Sequence, residues 1–172
     1  MKVIQYLATS VNGHITVGED GTDWVTPQTI AGFGNLNKEC GVVVMGKRTY
    51  EMFGSDFPQK DCLNVVMTRD SELLKKQIDG AIFTDKSPKE ILQLAEEKGF
   101  KKLFLVGGTQ TNTAFLKDDL IDEIWINIIP TLIGHGKYLF DEVPDISTKD
   151  LQLYDSKSFE GGQMLLKYKI TK

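Results

Sequence analysis

Leu103-Phe104-Leu105-Val106 is apolar at every position and stops at once on Gly107-Gly108-Thr109, after which Ala114, Phe115 and Leu116 mark a helix. A run without alternating polar residues suits a strand covered on both faces. Gly41 to Met45 repeats the pattern, followed by Gly46, the polar cluster Lys47-Arg48-Thr49, and Tyr50, Met52 and Phe53 at near-helical spacing. Buried strand, glycine turn and helix, met twice, restrict the chain to α/β architectures with parallel strands.

The remaining segments extend that pattern. Lys2 to Thr9 is rich in Val, Ile, Tyr and Leu and runs into Ser10-Val11-Asn12-Gly13-His14, which has turn chemistry. Ile15-Thr16-Val17 is expected to resume extended structure. Thr26-Pro27 reads as an N-cap with proline at the first helical position; Ile30, Phe33 and Leu36/Asn37 give the helical stripe, which Gly32 and Gly34 weaken. Leu63 to Met67 and Ala81 to Thr84 are β-prone, and the polar stretch Asp70 to Asp79 between them has room for a turn of helix. Ser87-Pro88-Lys89-Glu90 combines an N-cap, an N1 proline and a capping-box glutamate. Ile91, Leu94 and Ala95 supply that helix's buried face until Gly99 ends it.

After Leu120 the alternation stops. Glu123 to Ile129, Leu151 to Ser158 and Gln163 to Ile170 read as three strands with only loops between them, an antiparallel finish. The expectation is an α/β fold: a mostly parallel sheet of about eight strands, antiparallel C-terminal strands, and helices on both faces. At 172 residues a single core buries about 70% of the unfolded surface, so residues 1–172 are read as one domain.

Composition narrows the partners. A net charge of −4 and the absence of a Lys/Arg run leave no basic stripe for a phosphate backbone, so nucleic acid is not expected as a partner. Cys40 and Cys62 stand far apart without a CxxC or Cys/His cluster, which points to two reduced thiols, no disulfide framework and no metal site. The longest apolar stretches are broken by polar residues or Pro130, and no long apolar segment follows Met1. A cytoplasmic protein that does not enter membranes is expected.

Sheets of this kind bind ligands at the carboxyl ends of their strands, so if the two strands are parallel the glycine turns lie on one edge and share a site. Gly107-Gly108 before a helix permits close backbone approach and offers free N–H donors at a positive dipole end, as a pyrophosphate requires. Two adjacent glycines are equally the mark of a plain tight turn. Gly46-Lys47-Arg48-Thr49 adds two cations and a hydroxyl. Thr68-Arg69 ends the Leu63 to Met67 strand, where an arginine can pair with a ribose 2′-phosphate or simply be solvated. Three strand ends of matching chemistry favour a phosphorylated dinucleotide.

The strand followed by Ser10-Val11-Asn12-Gly13-His14-Ile15, the block from Val44 to Glu51, Thr68-Arg69, Val106-Gly107-Gly108 and the block from Pro130 to Phe140 occur in order across nearly the whole chain. Together they resemble the dihydrofolate-reductase-like proteins. The last block especially resembles the reductase domain at the C-terminus of the bifunctional riboflavin-biosynthesis deaminase-reductase. The resemblance implies an NADPH cofactor across the strand ends, with Ala8 and Ile15 near the nicotinamide. It further implies Gly46, Lys47, Arg48 and Thr49 on phosphates, Thr68 and Arg69 on the 2′-phosphate, and Gly107, Gly108, Thr109, Gln110 and Thr111 on the pyrophosphate. A homodimer is also implied.

Two departures bear on the substrate. Thr29 stands where dihydrofolate reductases carry the carboxylate that pairs with the pterin, and residues 1–172 hold no His/Cys set of the zinc-binding deaminase kind, so a reductase-like module is expected here. Asn12, Trp24, Thr29 and Phe33 are taken to line the substrate pocket, although Trp24 and Phe33 are as readily core. No residue presents itself as the catalytic acid, and neither His14 nor His135 is assigned a role. The leading expectation is an NADPH-dependent oxidoreductase passing hydride to a small heterocyclic or sugar-phosphate substrate, with 5-amino-6-(5-phosphoribosylamino)uracil as the best guess. A non-catalytic NADPH or nucleotide sensor is the alternative, and dihydrofolate reduction ranks below it.

Overall fold

A computed structural model of the chain describes residues 1–146 and 148–171. Its strands are β1 (Lys2–Ser10), β2 (Val42–Gly46), β3 (Leu63–Met67), β4 (Ala81–Thr84), β5 (Lys102–Gly107), β6 (Glu123–Ile129), β7 (Leu151–Ser158) and β8 (Met164–Ile170). Its α-helices are α1 (Pro27–Cys40), α2 (Lys47–Phe53), α3 (Ser71–Leu74), α4 (Pro88–Glu97) and α5 (Thr109–Lys117). The strands form one sheet in the order β4-β3-β2-β5-β1-β6-β8-β7. The first six in that order run parallel, and β8 and β7 are antiparallel to their neighbours. This is the dihydrofolate-reductase-like fold expected from the sequence.

Two apolar layers hold the helices to the sheet. On one face Val3, Val44, Leu103 and Leu105 pack with Ile91 and Ala95 of α4 and Phe115 of α5. On the other Ile4, Tyr6, Met45 and Phe104 pack with Leu36 and Cys40 of α1, with Tyr50 and Phe53 of α2 against them. Each fully buried large side chain contributes about 1.5–3 kcal/mol. Ser87 and Glu90 close the expected capping box on α4. Among the described residues no helix is long and apolar enough to cross a membrane.

Several local expectations shift. Ile15-Thr16-Val17 does not form a strand; its backbone makes only isolated pairings in the loop, such as Val17 with Gly21. Gly32 does not break α1, because it is the residue that lets the helix approach the sheet: a Cβ there would lie 2.0 Å from the Tyr6 hydroxyl oxygen. Ile30, expected in the core stripe of α1, is 59% exposed.

The order of the strands places the ligand crevice. From β2 the chain moves outward through α2 to β3, while from β5 it passes through α5 to β6 in the opposite direction. Adjacent parallel strands whose continuations diverge leave an opening at their carboxyl ends. Those ends are Gly46 and Gly107.

Candidate functional site

A cleft of about 2680 Å³ opens along the carboxyl ends of the parallel strands. It is lined by Ala8, Ile15, Gly46, Lys47, Arg48, Thr49, Thr68, Arg69, Gly108, Thr109, Gln110 and Thr111, and by Phe33 of α1. Twelve of the residues expected around the cofactor and one of those expected around the substrate thus come together. Gly107, Asn12, Trp24 and Thr29 do not line it.

Each of those four has another task. Gly107 adopts a φ of 102°, and a Cβ there would meet the Asn112 amide at 2.8 Å, so it shapes the turn from behind the wall. The Gly107–Gly108 peptide is cis. The Asn12 amide donates to the Ile133 carbonyl and accepts from the Ile133 N–H, bracing the loop. Trp24 donates to the Gly21 carbonyl at 3.3 Å. Thr29 is completely buried, with its Oγ1 accepting from Gln163 Nε2 at 3.2 Å and its carbonyl accepting from the Tyr6 hydroxyl. Gln163 also donates to Asn127 Oδ1 at 2.9 Å, so Thr29 sits in a neutral polar network beneath α1. Burial pushes the Tyr6 hydroxyl up to about 12, and it stays protonated as a donor.

The phosphate end is built from backbone and small side chains. A Cβ on Gly46 would lie 2.6 Å from Thr111 Oγ1, and one on Gly108 would lie 3.6 Å from Thr49 Oγ1. The two turns therefore share one wall. Gly108 is the N-cap of α5 and provides no capping side chain, so the first amides of that helix keep their donors for a ligand. Thr109 Oγ1 donates to the Tyr138 carbonyl at 2.7 Å, and Asn112 Nδ2 to the Leu139 carbonyl at 3.1 Å. These bonds tie the block from Pro130 to Phe140 to α5. The same block meets the loop after β1: Ile15 N–H donates to the Lys137 carbonyl at 2.7 Å, and a Cβ on Gly136 would strike the Thr16 carbonyl.

Acids that sequence reasoning missed face the cations. Lys47 pairs with Asp70 at 2.6 Å and with Glu51 at 3.7 Å. Arg48 meets Glu19 at 3.3 Å and Asp20 at 3.4 Å, and Lys137 meets the same two acids. The hydrogen bond from Lys47, with those from the α3 amides, lowers the Asp70 carboxyl to about 2, and Asp70 in turn raises Lys47. Exposed pairs of this kind contribute about 0–1 kcal/mol each, so an incoming phosphate can displace them. Arg69 is exposed and has no ion pair among the described residues. Asp70 could have been found as the N-cap of α3 directly after Arg69, whereas Glu19-Asp20 lies in a glycine-flanked turn without a distinguishing pattern.

The residues present fit a phosphorylated dinucleotide: glycines where side chains would collide, uncapped amides opposite them, and an unopposed arginine one strand away. Ala8 and Ile15 supply an apolar patch at the end of β1.

Comparison with known proteins agrees with this fold. The profile of the RibD C-terminal domain matches residues 1–166. The chain is 28% identical over 165 residues to the uncharacterized protein YwjB of Bacillus subtilis (strain 168), covering 92% of each. Its fold superposes on a putative riboflavin biosynthesis protein from Shewanella sp. PV-4 with a TM-score of 0.85, 28% identity and full coverage of both chains. It also matches the Thermotoga maritima diaminohydroxyphosphoribosylaminopyrimidine deaminase/5-amino-6-(5-phosphoribosylamino)uracil reductase with a TM-score of 0.77 and 14% identity. That match covers 99% of this chain and 56% of the other.

Proposed function

The chain belongs to the RibD C-terminal domain family, and from that premise we propose that it is an NADPH-dependent reductase of a small heterocyclic or sugar-phosphate acceptor. The observation that carries the reading is the shared wall of the Gly46 and Gly108 turns, open to a pyrophosphate, with Arg69 unopposed one strand further out. When bound, the nicotinamide would supply a hydride to an electrophilic carbon of the acceptor, and the heteroatom of the reduced bond would take its proton from solvent on the side of the acceptor away from the nicotinamide.

This chain's own residues bind, orient and exclude water. Thr49, Thr111 and the first amides of α5 hold the pyrophosphate, with Lys47 and Arg48 released from their acids as it enters. Thr68 and Arg69 receive the 2′-phosphate. Ala8 and Ile15 offer no group that competes for a proton, so they serve to seat a flat ring at the end of β1 and keep water from it. The riboflavin-pathway pyrimidine, 5-amino-6-(5-phosphoribosylamino)uracil, is the acceptor that family membership favours for a first assay.

The test is to add NADPH with a panel of pyrimidine and pteridine acceptors and follow nicotinamide absorbance. Turnover with one acceptor is expected. Tight NADPH binding without turnover on any of them would replace the reductase with a nucleotide sensor, and failure to bind NADPH would remove both.

The outer strand β7 is exposed along its length, with Leu151 and Leu153 about half uncovered, which supports a homodimer formed through this edge. Light scattering on the purified chain should give twice the mass of 19.3 kDa. Leu153→Lys should return the monomer.

A further inference from the structure

On α1, Ile30, Phe33, Gly34 and Asn37 occur at i, i+3, i+4 and i+7 and all face the cleft. None of the four is charged. The stripe is apolar until its last member, an amide. Asn37 is 4% exposed; its Nδ2 makes a long hydrogen bond of 3.4 Å to Gln59 Oε1, and its Oδ1 is buried with no partner. A buried acceptor left unpaired costs about 1–3 kcal/mol, so its retention on a cleft wall calls for a donor from outside the chain.

Resting on the reductase reading, we infer that Asn37 determines the acceptor's identity, accepting an N–H from an uncharged, planar lactam-type ring laid against Ile30 and Phe33. The ring's N–H bonds the unpaired Oδ1, while Nδ2 keeps its 3.4 Å contact with Gln59 Oε1. An anionic acceptor finds little on this wall. Lys38 has the Asp61 carboxylate beside it at 3.7 Å, Lys137 lies between Glu19 and Asp20, and Lys47 and Arg48 are taken by the cofactor's phosphates in the reductase reading. Lys60, the cleft cation beyond Gln59, is exposed and offers a point charge without the planar fork of an arginine.

The test titrates the protein loaded with NADP⁺, so that no turnover intervenes. Lumazine carries lactam N–H groups on a flat neutral ring, and its dimethylated counterpart keeps the ring but blocks both nitrogens. Lumazine should bind roughly tenfold more tightly, the factor a single net hydrogen bond gives. Asn37→Leu should erase that preference, while Asn37→Asp, which still accepts, should retain it and guards against a folding defect in the leucine variant. Uridine and uridine monophosphate should bind equally. Equal binding of the two lumazines, no binding of either, a preference that survives Asn37→Leu, or a tenfold gain for the monophosphate would each overturn the inference. Failure of NADP⁺ to bind in the first step would instead sink the cofactor reading beneath it.

Discussion

Gly46 and Thr111 approach so closely that a single methyl group on the glycine would stand 2.6 Å from the threonine hydroxyl. The contact joins the end of β2 to the first turn of α5. Gly46→Ala is therefore expected to do two separable things. The Thr111 side chain can rotate away, so stability should fall by no more than about 1–2 kcal/mol. Cofactor affinity should fall at least tenfold, because the new methyl occupies the space proposed for a phosphate. Thermal melts and NADPH titration measure the two effects. Adding Thr111→Ala should restore the melt without restoring affinity; recovery of both would mean the glycine serves packing alone.

Arg69 is the cation at the strand ends whose charge is not already met by an acid among the described residues. An arginine contacts a 2′-phosphate through charge-assisted hydrogen bonds worth about 1.5–3 kcal/mol. Arg69→Ala should weaken NADPH roughly ten- to a hundredfold and leave NADH nearly unchanged. Equal losses for the two cofactors in parallel titrations would place the 2′-phosphate elsewhere.

Glu19 and Asp20 hold Arg48 and Lys137 across the mouth of the cleft. If phosphate entry displaces these acids, removing them makes entry easier. The double variant Glu19→Gln, Asp20→Asn should bind NADPH more tightly by about two- to fivefold, the scale of weak exposed pairs. The gain should shrink as salt rises, since screening already loosens the pairs in the parent. Weaker binding in the double variant would show instead that the acids position the cations for the ligand.

How far the sequence could be read follows from the range of each signal. All eight strands were legible because buried runs such as Leu103 to Val106 carry their own pattern, and α4 because its capping box is local. The strand-end lining of the cleft was legible for the same reason: glycine, hydroxyl and arginine lie at or just past strand ends, each within a few residues of a buried run. The α1 wall of the cleft was not. Thr29 and Asn37 lie on the same helix, yet Gln163, far along the chain, draws Thr29 into a buried network and Asn37 is left facing the cleft. Gly32 reads as a helix weakness until Tyr6, on another element, fills the missing side chain's place. Loop residues 15–17 look extended, and only their pairing with Gly136 and Lys137 turns them into a bracing loop. What failed in each case depends on contacts distant in sequence, which local periodicity does not encode.

Glu123, almost fully buried at the start of β6, makes the fold sensitive to acid. Its carboxylate lies 2.7 Å from Lys2 Nζ and accepts from the Tyr154 hydroxyl at 2.7 Å and from Trp125 Nε1 at 3.0 Å. Burial alone would raise its pKa, but the bonds from Lys2, Tyr154 and Trp125 outweigh burial and leave the carboxyl below the ordinary 4.5. A carboxyl lowered in the folded state adds stability that is present above its unfolded value and is lost as pH falls through the folded one. Stability should therefore decline from about pH 5 downward. Glu123→Gln should lower it at neutral pH by about 1–3 kcal/mol, or several degrees in Tm, and flatten that decline. Melts of both proteins across this range measure it; parallel acid profiles would assign the sensitivity to other carboxylates, Asp70 first among them.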